Sequence, residues 1–207
     1  MPAVIKTTKT KSDNTIQLIA NTDYKRILVI GVFHGDEPQG EFLINEYIKR
    51  NSATRLLFIP CLNPDGKALN SRTNSQGVDL NRNFPTKNWE LTEKNEFFGG
   101  DNPASEIETR FLTEVIDRYM PELILTLHAP FKVVNYDGPA EEIAQKISEI
   151  INYPVEKSIG YPTPGSFGTY CGIEKNIPTI TLELDEKCPV QDLIEPVHKI
   201  FELLEKI

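Results

Sequence analysis

Cysteine is scarce in this chain: 207 residues hold only Cys61, Cys171 and Cys188, with no CxxC pair. An odd, widely spaced set is not a disulfide framework. Long apolar runs are missing too, and none nears the ~20 residues that span a bilayer. The amino-terminal stretch MPAVIKTTKTKSDNTIQLIAN carries positive charge but no continuous apolar segment, which argues against a secretory signal. These absences lead to the expectation of a reducing, cytoplasmic location and no membrane partner. Clustered Lys and Arg are also lacking. With 22 basic against 30 acidic residues the net charge is −8, so nucleic acid is not an expected partner. One Arg placed in a cleft can still bind an anionic small molecule. Repeats, linkers and low-complexity segments do not occur. The length suits a single domain, residues 1–207, that buries a full core without staples. The sequence carries no signal for an oligomeric state.

What is present is alternation. Strands are expected at Thr15–Ile19, Arg26–Val32, Thr54–Pro60, Glu122–His128, Lys132–Asn135 and Pro178–Leu184, most of them short apolar runs rich in β-branched residues. Helices are expected from Gln39 to Arg50, over 140–151, and after a capping box at Ser105-x-x-Glu108. A last helical stripe runs from Val190 to Leu204, where Pro196 is expected to introduce a kink. Residues 66–103 show little periodicity, and a loop of that length inside a compact domain is usually functional or disordered. The pattern is that of an α/β domain with helices on both faces of a mixed, largely parallel sheet.

Reactive residues collect at strand ends, where such sheets place their ligands. One strand runs into His34-Gly35-Asp36-Glu37, another into Asn63-Pro64-Asp65-Gly66, a third ends in His128, and a late strand contains Glu183. An H-x-x-E spacing in a tight turn lets the imidazole of His34 and the carboxylate of Glu37 point to one centre. His128 is the natural third ligand, leaving one position open as a catalytic zinc requires. Singly, each motif is weak: H-x-x-E pairs arise by chance, a lone His is ordinarily a core residue, and NPDG reads as a plain turn. His198 is assigned to the polar side of its helix, and the thiols to packing. Arg82, flanked by Asn81 and Asn83, can fork a carboxylate with parallel hydrogen bonds, and Arg72 is a second cation for the cleft. Glu183 either faces that cleft or shares a polar face with Thr179 and Thr181.

Taken in order, HGDE, NPDG, DLNRNFP, a strand ending in His, a GSFG loop and a strand with LEL closely resemble the carboxypeptidase A-like zinc metallocarboxypeptidases. The matching motifs span residues 31–184. The resemblance implies a zinc carboxypeptidase-like fold and one Zn2+ per chain on His34, Glu37 and His128. It implies that Asn81 and Arg82 hold the substrate's free carboxylate and that Glu183 is the general base. Asp79 would support the first zinc histidine, Arg72 would polarise the scissile carbonyl, and Tyr161 would stand in for a mobile substrate-contacting tyrosine. DLNRNFPTKNW with GYPTPGSFGTYC is further similar to the murein peptide amidases, which cut the γ-D-glutamyl–diaminopimelate bond of cell-wall peptides. That implies a small peptide substrate with a free carboxylate. Two alternatives remain at this level. Acylases of the aspartoacylase or succinylglutamate desuccinylase type share an H-x-x-E and an Asn-Arg pair, though usually with HGNE. A metal-dead module that binds cell-wall peptides without cutting them is disfavoured by the intact ligand set.

Overall fold

The computed structural model describes residues 1–157 and 163–207. Its centre is an eight-stranded sheet built from β1 (Ala3–Lys9), β2 (Thr15–Ala20), β3 (Ile27–Gly31), β4 (Leu57–Ile59), β5 (Leu123–His128), β6 (Val133–Asp137), β7 (Val155–Glu156) and β8 (Thr179–Glu183). The strand order is β1-β2-β4-β3-β5-β8-β6-β7. Pairings β3–β4, β3–β5, β5–β8 and β6–β7 are parallel, while β1–β2, β2–β4 and β6–β8 are antiparallel. The mixed, mostly parallel α/β architecture is the one expected.

The central strands are buried at every position because helices cover both faces. Alternate residues therefore enter two different cores. Val29, Leu125, Leu127, Ile180 and Leu182 pack against helices α1 (Gln39–Arg50), α4 (Glu141–Ile151) and α5 (Ile194–Lys206). Leu28, Ile30, Ile59 and Ile124 face α3 (Ile107–Tyr119), with Phe33, Phe84 and Phe167 filling the end near the loops. From β3 the chain moves to β4 on one side and then returns to β5 on the other. This reversal opens a crevice at the carboxyl ends of the strands, the usual ligand position in such a sheet.

Several local expectations are corrected. NPDG is not a plain turn but the start of helix α2 (Pro64–Leu69). Asn63 caps it by accepting from the Gly66 amide at 2.9 Å, and Pro64 occupies the first turn, where no N–H is needed. The Ser105 capping box does not form. Glu106 is the N-cap of α3 without a side-chain cap bond, and buried Asn83 serves the region instead. Its Oδ1 accepts the Glu106 amide at 3.2 Å and its Nδ2 donates to Ser105 Oγ at 2.9 Å. The final stripe splits into a 3-10 turn at Val190–Leu193 and then α5, with Pro196 in the first turn of α5, so no mid-helix kink arises. His198 is buried rather than on a polar face. Its ring lies edge-on to Tyr47, and its Nε2–H donates to Leu43 O at 3.0 Å. An unforeseen edge strand, β1, is largely exposed and carries Lys6 and Lys9, charges that protect an open edge from pairing with another chain.

Candidate active site

The crevice begins where β3 ends. Val32 turns the chain with a positive φ of 53°, a rare conformation for a β-branched residue, and sends Phe33 and His34 across the top of the sheet. The turn rests on the start of α2. Asn63 Nδ2 donates to Phe33 O at 3.1 Å, and a Cβ on Gly35 would stand 1.9 Å from the Gly66 carbonyl carbon. No side chain is possible at Gly35 without separating the two loops. NPDG thus serves the HGDE turn as a buttress.

His34 Nδ1 lies 2.8 Å from one oxygen of Glu37, and His128 Nδ1 lies 3.0 Å from the other. His128 is the last residue of β5, and its ring stacks on Phe33 with centroids 5.2 Å apart. The second oxygen of Glu37 also accepts the Ala129 amide at 3.1 Å. One ligand atom from each of His34, Glu37 and His128 lies within 4.8 Å of the others. Two ligands that share a zinc at ~2.1 Å each stand roughly 3–4 Å apart, so the three fit around one ion. Two imidazoles and one carboxylate also match the chemistry of a three-ligand zinc site.

His34 is held from behind. Its Nε2 lies 3.2 Å from Asp79 Oδ1, which assigns Nδ1 to the metal side. Asp79 is fully buried and saturated: Oδ1 also accepts the Asn81 amide at 2.8 Å, and Oδ2 accepts Arg72 Nε and Nη2 at 3.0 and 2.9 Å. Burial would push the His34 imidazolium down, but the carboxylates of Asp79 and Glu37 outweigh it and raise the pKa to about 9. Burial acts to raise Glu37, and the two imidazoles overcome it, holding Glu37 well below the usual carboxylate range. Asp79 is depressed in the same manner, against burial, by His34, Arg72 and Arg82.

Arg82 lies in the 3-10 turn Leu80–Arg82, almost buried, with Nη1 donating to Asn81 O at 2.8 Å. Asn81 Oδ1 accepts the Phe167 amide at 2.9 Å, which leaves its Nδ2 as the outward donor. The GSFG loop therefore positions Asn81. It also grips the Arg82 turn, since Phe84 N–H donates to Gly165 O at 2.9 Å. Phe97 lies beneath both guanidinium groups, 5.0 Å from Arg72 Cζ and 5.9 Å from Arg82 Cζ.

Glu183 ends β8 in register with His128. Its side chain is buried: the residue is 7% exposed, and Oε2 has no hydrogen-bond partner. Burial raises its pKa above the ordinary carboxylate value. Of the two readings open from sequence, the cleft-facing one holds: His34, Glu37, Arg72, Arg82, His128 and Glu183 line one cavity of about 160 Å³. Asn81 lines it as well, and Asp79 lies behind. Tyr161 falls outside the described residues. Asn135, Asp137 and Lys157 also line the cavity and were not foreseen. The signal for the first two was the alternation in Val133-Val134-Asn135-Tyr136-Asp137, which places Asn135 and Asp137 on one face.

Comparison with known proteins agrees with this geometry. The zinc carboxypeptidase family model matches residues 3–147. Murein peptide amidase A of Escherichia coli (strain K12) is 34% identical over 170 residues, covering 75% of this chain and 69% of that protein. Murein peptide amidase A of Vibrio campbellii is 33% identical over 176 residues, covering 77% and 69%. The crystal structure of murein-tripeptide amidase MpaA from Escherichia coli O157 superposes with a TM-score of 0.85 at 26% identity, covering 100% of this chain and 92% of that one.

Proposed function

The chain belongs to the zinc carboxypeptidase family, and on that premise we propose that it hydrolyses the γ-D-glutamyl–diaminopimelate bond of murein peptides, releasing the terminal residue. It is a zinc-dependent peptide hydrolase. The observation that carries the reading is one cleft that combines a group of three residues able to hold a metal, a cationic grip and a buried carboxylate with one unpartnered oxygen. The murein substrate is supported by the relatives named above.

In this reading His34, Glu37 and His128 hold the zinc. Zinc at that position supplies Lewis acidity, which polarises an amide carbonyl and acidifies water. Arg82 and the Nδ2 of Asn81 bind the carboxylate of the leaving residue and so register the scissile bond, an orientation effect. Glu183 Oε2 accepts the proton of the attacking water and returns it to the leaving amine nitrogen. Its raised affinity for protons suits this two-way transfer. Arg72, aligned by its two bonds to Asp79, places positive charge beside the oxygen that becomes negative in the tetrahedral state. Asp79 keeps His34 in the tautomer with Nδ1 turned to the metal.

A cytoplasmic location belongs to the same proposal, supported by three free cysteines. No described helix is long and apolar enough to cross a membrane. The test is digestion of L-Ala-γ-D-Glu-meso-diaminopimelate by the zinc-loaded protein, with products read by mass. Release of free diaminopimelate is expected. Cleavage of N-acyl amino acids instead would transfer the chain to the acylase reading, and binding without turnover to the non-catalytic one.

A further inference from the structure

Phe97 is 42% exposed, whereas the residue after it, Phe98, is buried. The backbone around it is pinned. Phe98 O accepts the Asp79 amide at 2.8 Å, and the Phe97 amide donates to Asn95 Oδ1 at 2.7 Å. A Cβ on Gly99 would stand 2.5 Å from the Arg82 carbonyl oxygen, so the segment lies directly against the Arg82 turn. These contacts place an exposed ring 5.0 Å from Arg72 Cζ and 5.9 Å from Arg82 Cζ. Both arginines line the cavity, and Phe97 does not.

The two guanidinium groups are held to different degrees. Arg72 is anchored by two bonds to Asp79 Oδ2, at 3.0 and 2.9 Å. Arg82 donates one side-chain bond, to Asn81 O at 2.8 Å, and has no ion pair among the described residues. A long side chain held by one bond keeps rotamer freedom that a ligand must then remove. A carboxylate beside Arg82 would remove that freedom, but it would also neutralise the cation and occupy the donors that a substrate carboxylate needs. An aromatic face attracts a guanidinium through its quadrupole and occupies none of the N–H donors of the fork.

We infer that Phe97 is a positioning residue: its ring, set against the anchored Arg72, holds the Arg82 guanidinium ready for the carboxylate of the leaving residue and leaves its charge and donors available. This role rests on the amidase reading, in which Arg82 grips that carboxylate. It is exerted through Arg82, because the ring stands outside the cavity.

The experiment compares zinc-loaded wild type with Phe97→Leu, Phe97→Tyr and Phe97→Glu. Two substrates are used: L-Ala-γ-D-Glu-meso-diaminopimelate, and the same tripeptide amidated at the carboxylate next to the scissile bond. The readout is the ratio of kcat/KM values, free over amidated, which does not depend on the folded fraction. Phe97→Leu removes the ring and is expected to lower the ratio about 5-fold, mainly through KM, the scale of one partly exposed cation–π contact. Phe97→Tyr keeps the aromatic face and is expected to stay within about 2-fold of wild type. Phe97→Glu supplies a competing carboxylate and is expected to lower the ratio at least as far as Phe97→Leu. An unchanged ratio in Phe97→Leu, the same loss in Phe97→Tyr, or a Phe97→Glu ratio above that of Phe97→Leu overturns the inference. A second measurement needs neither substrate nor metal. In protein carrying isotope-labelled arginine, the Arg82 Nε–H signal is assigned by its loss in Arg82→Lys. Its NMR relaxation is expected to report a fixed side chain in wild type and Phe97→Tyr and a mobile one in Phe97→Leu. If the wild-type enzyme cuts neither peptide, the amidase reading fails and this signal decides alone: unchanged Arg82 mobility in Phe97→Leu overturns the positioning role, and increased mobility supports it.

Discussion

Replacing Glu183 by Gln keeps the shape of the side chain while removing its charge and its capacity to take a proton. The expected loss in kcat is about 1,000-fold, within the range for a positioned general base and equal to about 4 kcal/mol of barrier. The metal ligands do not touch the substituted atoms in any hydrogen bond, so zinc content should stay near one per chain. The same change has a second, opposite consequence. Burial raises the folded-state pKa of Glu183 above its unfolded value, so the ionised form is disfavoured in the fold. The protonated state's contribution to stability is full below the unfolded pKa and is lost as pH rises through the folded one. In metal-stripped protein, Glu183→Gln should therefore melt at the wild-type temperature near pH 4 and above it at pH 7. Turnover of the murein tripeptide by mass, zinc by elemental analysis and melting by calorimetry at both pH values make up the assay. Activity within tenfold of wild type, or a variant that melts lower at pH 7, would refute the reasoning.

Zinc must displace the proton that Asp79 and Glu37 hold on His34, whose pKa in the metal-free site is about 9, so apparent zinc affinity should climb with pH by up to tenfold per unit until about pH 9; competition with a chromophoric chelator measures it, and a flat profile counts against the ligand set. Arg82→Ala should raise KM about 30-fold for peptides with a free terminal carboxylate, the scale of charge-assisted bonds, and have little effect when that carboxylate is amidated; equal effects on both would remove Arg82 from the substrate grip. Asp65 accepts from Thr10 at 2.6 Å, Asn14 at 2.8 Å and Ser75 at 2.7 Å, tying the β1–β2 hairpin to the base of α2. Asp65→Ala should cost about 3 kcal/mol in urea unfolding. A loss below 1 kcal/mol would mean that these bonds are replaced by water at no net cost.

How far the site could be read in advance depended on the kind of information each residue carries. His34, Glu37, His128 and Glu183 stand at or just beyond the ends of strands whose apolar runs are unmistakable, and the chemistry of each side chain is written in its type. The helix at NPDG was missed because Asn, Pro, Asp and Gly serve a turn and a helix start equally well, and only the packing of Gly66 under Gly35 chooses between them. His198 was misplaced because the apolar stripe of α5 is wide, and burial against Tyr47 includes a position that the pattern alone makes polar. The Ser105 capping box was displaced by Asn83, a residue twenty-odd positions earlier that donates to the Ser105 hydroxyl and accepts the Glu106 amide.

The sequence by itself determined the α/β class, the order of the motifs and the candidate metal ligands, because strand and helix periodicity and side-chain chemistry are local properties. Tertiary structure decided everything that depends on which strands become neighbours. The pairing of β5 with β8 sets Glu183 beside His128, and the antiparallel return of β6 turns Asp137 into the same cavity. Asp79, Arg72 and Phe97 acquire their positions from a loop with no periodicity to read. A register between distant strands is selected by the burial of two whole sheet faces at once, a sum over the entire core that no short stretch of sequence contains.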